Sequence, residues 1–500
     1  MGPTRGVIEA DNAILVTTIV FFLLTTLVVS LLLDAGVQPR RRRLRRLSGI
    51  VVHMLAVACA FGLFLAVAGN SVVAAVLATG MVAVLSVASN AKHRMLGEPL
   101  VFSDLALLAA VVRHPRFYFT AVSVRQRWLA GAAAIAAVLV LVSQVSWSAP
   151  AHLAGLAVAA GSAIGLLLVL RSRWLYGAMR IPALERDLIH YGLISTLTTY
   201  WLRWRDTADP APAVPLVAAS DSQHPAPPEV IVVIQCESFA DPVAITGDPR
   251  HALPGLAAAR AAAWRQGDLA VSGFGAYTMR TEYGVLFGRS EAALGFRRYD
   301  PFLSAHGETS HALSARLGGA GYRCAFVHPH DMRFYGRDRL MPASGFDRVI
   351  GLEAFASAPP GGRYVDDRTL GTMLGDLVAG TAGPTFVYAV TMENHGPWHG
   401  EDGAAGELDA YLKHVRSSDA MLTDLTARLA ADGRPALLVF FGDHRPSIPG
   451  VSMPGADRHT PYVMLRFGPG GIPIGTGERV DLTPADLHHA VLACVSAPAA

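Results

Sequence analysis

The stretch VSGFGAYTMRTEYG, residues 271–284, sets Thr278 between a glycine-rich approach and a run with helical character. A threonine hydroxyl is a poor nucleophile at neutral pH unless a cation or a base acidifies it. Two carboxylates and an imidazole elsewhere in the chain have the right chemistry to hold such a cation: Glu237 in CESF, and Asp443 with His444 in GDHRP. They are hard-to-borderline ligands that suit Zn2+ or Mn2+. Placing Thr278 at a helix N-terminus would add backbone N–H groups and the helix dipole, which favour an alkoxide and an arriving phosphate. Gly273 and Gly275 allow a tight turn and leave room for substrate.

Each residue also has an ordinary reading. Thr278 could cap a helix, Glu237 could cap the helix after its strand, and Asp443 could bond its own turn backbone. His395 in ENHGPW could be a hydrogen-bonded structural histidine, and His328, His330 and Arg337 could be solvated loop residues. What favours chemistry is that these groups follow one another at the ends of successive apolar runs. The runs are VIVVIQ (230–235), LAVSG (269–273), YRCAFVH (322–328), TFVYAVT (385–391), ALLVFF (436–441) and PYVMLRF (461–467), with helical spacing between them at 308–319 and 406–432. That alternation predicts an α/β domain with a largely parallel sheet, whose ligands lie beyond the carboxyl ends of the strands.

The first third is different in kind. Residues 13–33 form an apolar run long enough to cross a bilayer, and further spans are expected at about 49–68, 71–89, 129–148 and 151–170. A cleavable leader is disfavoured, because arginines stand where a small-residue cleavage site belongs. Arg40, Arg41, Arg42, Arg43, Arg45 and Arg46 would hold the first loop in the cytoplasm, and five spans would return the chain there after residue 170. The segment 205–228, rich in Pro, Ala and Ser, reads as a linker. The expected organisation is therefore a transmembrane domain over 1–180, a juxtamembrane helix and linker over 181–228, and a catalytic domain over 229–500. A formal net charge of +3 gives no support to nucleic-acid binding. Four scattered cysteines read as buried thiols, not a disulfide frame.

The ordered set CES, GAYTMRTE, ENHGPW and FGDH resembles the lipoteichoic acid synthase and phosphoglycerol transferase branch of the alkaline phosphatase/sulfatase superfamily. The resemblance covers residues from about 228 onward, and NAKHRMLGEPLVFSDL (90–105) resembles a segment these membrane enzymes carry between spans. It implies an alkaline phosphatase-like (sulfatase-like) α/β domain behind a multi-span helical membrane domain. By the same likeness Glu237, Thr278, Asp443 and His444 would hold one divalent ion, Mn2+ or Zn2+, with Thr278 as nucleophile. His395 would stand beside the phosphate. His328, Tyr335 and Arg337 match headgroup-binding positions, Tyr335 standing where the family often has tryptophan, and His459 in RHTPYVM matches a phosphate-binding histidine of some headgroup transferases.

The implied activity is transfer of phosphoglycerol from phosphatidylglycerol to an envelope glycan or glycerol-phosphate acceptor. It would proceed through a phosphothreonine, at the outer face of a bacterial inner membrane. Phosphoethanolamine transfer, phosphodiester hydrolysis and a non-catalytic polymer-binding role are the alternatives. YTMRTE lacks the C/S-x-P-x-R context of formylglycine sulfatases, which argues against sulfate-ester hydrolysis.

Overall fold

The computed structural model describes residues 5–40, 45–105, 128, 132, 136–140, 142–216, 227–356, 363–398, 403–455 and 457–495. The chain divides into two compact units, Met1–Thr207 and Ala208–Ala500.

In the first unit four long helices, α1 (Arg5–Ala35), α2 (Leu47–Ala68), α3 (Ser71–Leu96) and α4 (Ala149–Arg171), carry the apolar runs. Over Asn12–Ala35, Leu47–Ala68, Ser71–Leu96 and Ala149–Arg171 the mean hydropathy is 2.3 to 2.6. At 1.5 Å per residue each is about 33 Å long or more, enough to cross the hydrocarbon core. The helices α2 and α4 approach at Gly62 and Gly155, where a Cβ would stand 2.4 Å and 2.3 Å from the facing backbone. Small residues at such crossings let helices pack without a solvent-driven hydrophobic effect.

The expected span at 129–148 lies largely outside the described residues. Ser146 donates its N–H to Ala68 O (2.9 Å) and Asn70 Nδ2 donates to Gln144 O (3.0 Å), so residues 144–148 adjoin the turn between α2 and α3. The loop after α1 adjoins the opposite helix ends. Arg46 donates its N–H to His190 O (2.8 Å), Gln38 donates its N–H to Asn90 Oδ1 (2.7 Å), and Asp34 Oδ1 accepts from Leu193 N–H (2.9 Å). Leu193 opens α6 (Leu193–Arg205), which follows α5 (Leu184–Tyr191). The chain therefore leaves α3 on one membrane side and enters α4 from the other.

In the second unit an eight-stranded sheet runs in the order β4-β3-β5-β1-β6-β7-β2-β8. The strands are β1 (Val230–Cys236), β2 (Arg265–Leu269), β3 (Arg323–Val327), β4 (Arg348–Ile350), β5 (Thr385–Val390), β6 (Ala436–Gly442), β7 (Thr460–Phe467) and β8 (Glu478–Arg479). The five strands from β4 to β6 are mutually parallel, and β7 is antiparallel to β6 and to β2. Every residue of β1, β5, β6 and β7 is buried, as expected of strands covered on both faces.

On one face Val230, Val232, Ile234, Leu438 and Phe440 pack against α7 (Pro254–Ala262), α9 (Asp367–Ala379) and α10 (Gly403–Asp432). Two further helices, α8 (Thr278–Phe287) and α11 (Pro484–Ala493), pack on each other.

Two local expectations fail. The second strand lies at 265–269, ahead of the apolar stretch LAVSG, because Val271 turns back to bond Leu269 O (2.9 Å) and the polar run RQGDL pairs with β7 instead. The stretch 308–319 is helical only from Leu313 to Gly319, after a 3-10 turn over His306–His311.

Candidate metal centre and nucleophile

The parallel strands β1, β3, β5 and β6 end at one edge of the sheet, and the next residue of each is polar: Glu237, His328, Thr391 and Asp443. At Gly442 the strand end must slide under the 237–239 turn, since a Cβ there would strike Phe239 O. Asp443 consequently donates its N–H to Cys236 O (3.3 Å), and its Oδ1 accepts from Ser238 N–H (2.8 Å). Ser238 adopts a left-handed backbone (φ 50°), as does Tyr277 (φ 78°), the residue immediately before Thr278. Such conformations are rare in non-glycine residues and are held only where surrounding structure over-determines them. Tyr277 supplies no side-chain cap, and Thr278 becomes the first residue of α8.

The four side chains expected to act together do converge. Thr278 Oγ1 lies 3.3 Å from Glu237 Oε2 and 3.5 Å from His444 Nε2. His444 Nε2 is 3.4 Å from Glu237 Oε1 and 3.6 Å from Asp443 Oδ2. One ligand atom from each of Glu237, Asp443 and His444 lies within 4.8 Å of the others, and all three residues are buried.

Three details fit a cation. His444 Nδ1–H donates to Arg445 O (3.0 Å), which turns Nε2, the nitrogen that would ligate, toward the carboxylates. Asp443 Oδ2 is buried with no hydrogen-bond partner among the described residues. Charge balance points the same way. Burial opposes ionisation of Glu237, but hydrogen bonding and charge from His444 hold its carboxyl down at about 2. Burial and then Glu237 push Asp443 up to about 7. Burial opposes the His444 charge, yet Asp443 and Glu237 raise it to about 9. Two buried carboxylates around one protonated imidazole form a site that calls for positive charge, which a divalent ion would supply.

The remaining sequence candidates fall into three positions. His395 Nδ1–H donates to Gly396 O (2.7 Å), and its ring lies 5.8 Å from that of Tyr364. After burial and His444, charge at His395 is a lesser cause acting on the Glu237 carboxyl, in the lowering direction. His328 is buried, donating Nδ1–H to Val390 O (3.0 Å), with Nε2 3.5 Å from Arg337 Nη1. Burial, then Arg337, keeps His328 neutral by pushing its pKa well below the usual imidazole range.

Arg337 is itself 1% exposed and gives two nitrogens to Glu282, Nε to Oε1 (3.0 Å) and Nη2 to Oε2 (2.5 Å). Only its Nη1 edge remains to face the site through His328. Tyr335, with a left-handed backbone (φ 58°), lays its ring 5.1 Å from the Arg337 guanidinium carbon. His459 is not among these groups; it is half-exposed and bonds Asp457 Oδ1 through Nδ1 (2.9 Å).

Thr391 and Tyr364 were not singled out, and His330 was weighed only as a solvated loop residue. Thr391 accepts the Glu237 N–H on its Oγ1 (3.1 Å), and its place after β5 marked it. His330 packs 5.7 Å from the His328 ring and 6.3 Å from that of Tyr364. The hydroxyl of Tyr364 is buried without a hydrogen-bond partner among the described residues. Nothing in GGRYVDD distinguished that tyrosine.

A helical membrane unit joined to an α/β unit with this strand-end cluster defines an alkaline phosphatase-like membrane protein. The chain belongs to the sulfatase family, whose profile matches residues 229–494, more than half of its length. It is 29% identical over 463 residues to the capsular polysaccharide biosynthesis protein RkpI of Rhizobium meliloti (strain 1021), covering 85% of this chain and 82% of that one. It is 27% identical over 262 residues to a putative cyclic beta-1,2-glucan modification protein of the same organism, covering 49% of this chain and 39% of that one. Among solved structures it is similar to the lipooligosaccharide phosphoethanolamine transferase A (EptA) of Neisseria meningitidis. The TM-score is 0.54 at 13% identity, over 85% of this chain and 88% of that one.

Proposed function

We propose that the protein is a membrane-bound, metal-dependent transferase that moves a phosphoglycerol group from phosphatidylglycerol to an envelope glycan. The observation that carries this reading is the Thr278 hydroxyl, 3.3 Å and 3.5 Å from two of the three cation-ligating side chains, at the first turn of a helix. Glu237, Asp443 and His444, with Thr278, would hold the ion. When bound it lowers the pKa of the threonine hydroxyl and neutralises phosphate charge.

Thr278 Oγ gives up its proton to solvent and attacks phosphorus, the bond to the diacylglycerol oxygen breaks, and that oxygen takes a proton. His395 is the group that would give it. The phosphoglycerol remains on Thr278 as a diester. A sugar hydroxyl then attacks the same phosphorus, loses its proton to His395, and releases Thr278, which regains its proton from solvent. The α8 N-terminus favours the negative charge that gathers on the phosphoryl oxygens in both steps.

Glycerol is favoured over ethanolamine by the groups around His328. An ammonium would need an unshared carboxylate, and the carboxylate there, Glu282, is bidentate with Arg337. His330 and the Tyr364 hydroxyl offer hydrogen bonds that suit hydroxyl groups instead. An envelope glycan as acceptor is supported by the two relatives, described as acting in capsular polysaccharide biosynthesis and cyclic glucan modification. Such a donor and acceptor would be met on the outer side of a bacterial inner membrane.

The test is mass spectrometry of protein incubated with headgroup-labelled phosphatidylglycerol and no acceptor. A glycerophosphoryl adduct on Thr278 is expected, with transfer falling at least about a thousandfold in Thr278→Ala. An unmodified Thr278, or an adduct formed only from phosphatidylethanolamine, would overturn the assignment.

A further inference from the structure

A cavity of about 510 Å3 opens beside the metal cluster between α8, residues 289–298, Arg458 and the start of α11. Its size falls in the range of ligand pockets, roughly 300–1,000 Å3. It shares walls with the cluster. Thr281, which lines it, donates its hydroxyl to Asp443 O (2.7 Å), and Arg280, two residues after Thr278, also lines it. Sheet order separates it from the His328 side: β5 and β3 lie on one side of β1, and β6, β7 and β2 on the other.

The lining is cationic. Four arginines contribute, Arg280, Arg289, Arg298 and Arg458, against one lining carboxylate, Glu291, which sits 3.6 Å from Arg298. Arg289 pairs with Glu308 (2.8 Å), which Arg297 also shares (3.3 Å). Arg458 bonds the backbone carbonyls of Ser272 (2.6 Å) and Gly455 (3.4 Å) and no carboxylate among the described residues. Val271, Leu294 and Pro484 add an apolar floor. Guanidinium forks around an apolar floor match a sugar ring that carries a carboxylate or phosphate.

We propose that this pocket binds the acceptor, and that the acceptor is an acidic glycan. The inference rests on the transfer reading above and deepens it, naming the chemistry of the molecule that receives the headgroup. The neutral donor headgroup is held on the β3–β5 flank of Thr278 and the anionic acceptor on the β7–β2 flank, so the two substrates approach one phosphorus from different sides.

The test reads binding, not turnover, on full-length Thr278→Ala protein in phosphatidylcholine nanodiscs. Tetragalacturonate supplies carboxylates, glucose 6-phosphate supplies phosphate, and maltotetraose is the neutral control. At least one anionic probe is expected to bind, with affinity falling as salt rises. Maltotetraose should bind at least about tenfold more weakly, and Arg298→Ala and Arg458→Ala should each weaken the anionic probe about tenfold, the scale of one charged hydrogen bond. Arg298→Lys should restore part of the loss.

Melting temperature checks folding; should Arg458→Ala fail to fold, Arg298→Ala decides, its side chain being 28% exposed. Equal binding of neutral and acidic sugars, or unchanged affinity in folded variants, overturns the proposal. So does displacement of the sugar by phosphatidylglycerol added to the nanodiscs, which would make this the donor site. Failure of the transfer reading appears separately, as an unmodified Thr278 in the adduct experiment.

Discussion

At the scale of single residues, the protons on the cluster report what it is built to hold. His444 is raised to about 9 and Asp443 to about 7, so near pH 7 the imidazole and part of the Asp443 population carry protons that a cation must displace. Cation affinity should therefore rise with pH through 7 toward 9, and binding should release at least one proton at pH 7. Calorimetric titration of Zn2+ into chelator-treated protein, in two buffers of different ionisation enthalpy, measures this; heats independent of buffer would contradict it. Arg337 makes the opposite kind of statement. With Glu282 it forms a fully buried bidentate pair, so removing one partner strands a charge. Arg337→Ala should cost about 3–5 kcal/mol of stability. The double variant with Glu282→Ala should lose less than the sum of the two single losses, read from melting of the full-length protein. A residue that only touched substrate would leave the melting temperature in place.

Elements explain why the site could be read before its support. Glu237, Asp443, His444 and His328 follow apolar runs that became strands, so their place at one sheet edge followed from periodicity alone. Tyr364 and the Glu282–Arg337 pair could not be found that way, because pairing 55 residues apart depends on how α8 packs, which no local pattern encodes. The short strands β4 and β8 escaped for a related reason: three and two residues are too few to show alternation. The loop that carries His395 is anchored by another hidden contact. Asn394 Nδ2 donates to Ser418 Oγ (2.9 Å), whose hydroxyl donates to Asp367 Oδ2 (2.6 Å), tying the loop to α9 and α10. Burial, then Glu393, pushes Asp367 up to about 8, far above its unfolded range near 4. A raised carboxyl is stabilising when protonated, so its contribution is full below about pH 4 and is lost as pH rises through 8. Asp367→Asn mimics the protonated form and should flatten that part of the stability decline between about pH 4 and 8, measured by denaturant midpoint. A decline unchanged in the variant would assign it to other groups.

At the scale of the whole molecule, Arg45 and Arg46 are tied to the segment that follows the last of the four long helices. Arg46 bonds His190 O and Tyr191 Oη, and Arg45 pairs with buried Asp34, which also accepts from Leu193 N–H. Residues 184–205 lead directly into Ala208, where the second unit begins. Arg45 and Arg46 therefore lie at the same end of the helical unit as residues 184–205, whatever the span count. The orientation rule weighs loop cations as free charges retained in the cytoplasm, but Arg45 is neutralised by Asp34 within the fold and Arg40 is bound to Gly36 O. With the catalytic unit outside, the first loop must be outside and the N-terminal end of α1 inside. Gln38→Cys and Asn12→Cys, each exposed, separate the possibilities, because the native cysteines are buried or lie within a span. A membrane-impermeant maleimide applied to intact spheroplasts should label Gln38→Cys, and should reach Asn12→Cys only after permeabilisation. The reverse pattern would place the catalytic unit in the cytoplasm and remove its access to envelope glycans, while labelling of both from outside would break the path inferred for the spans.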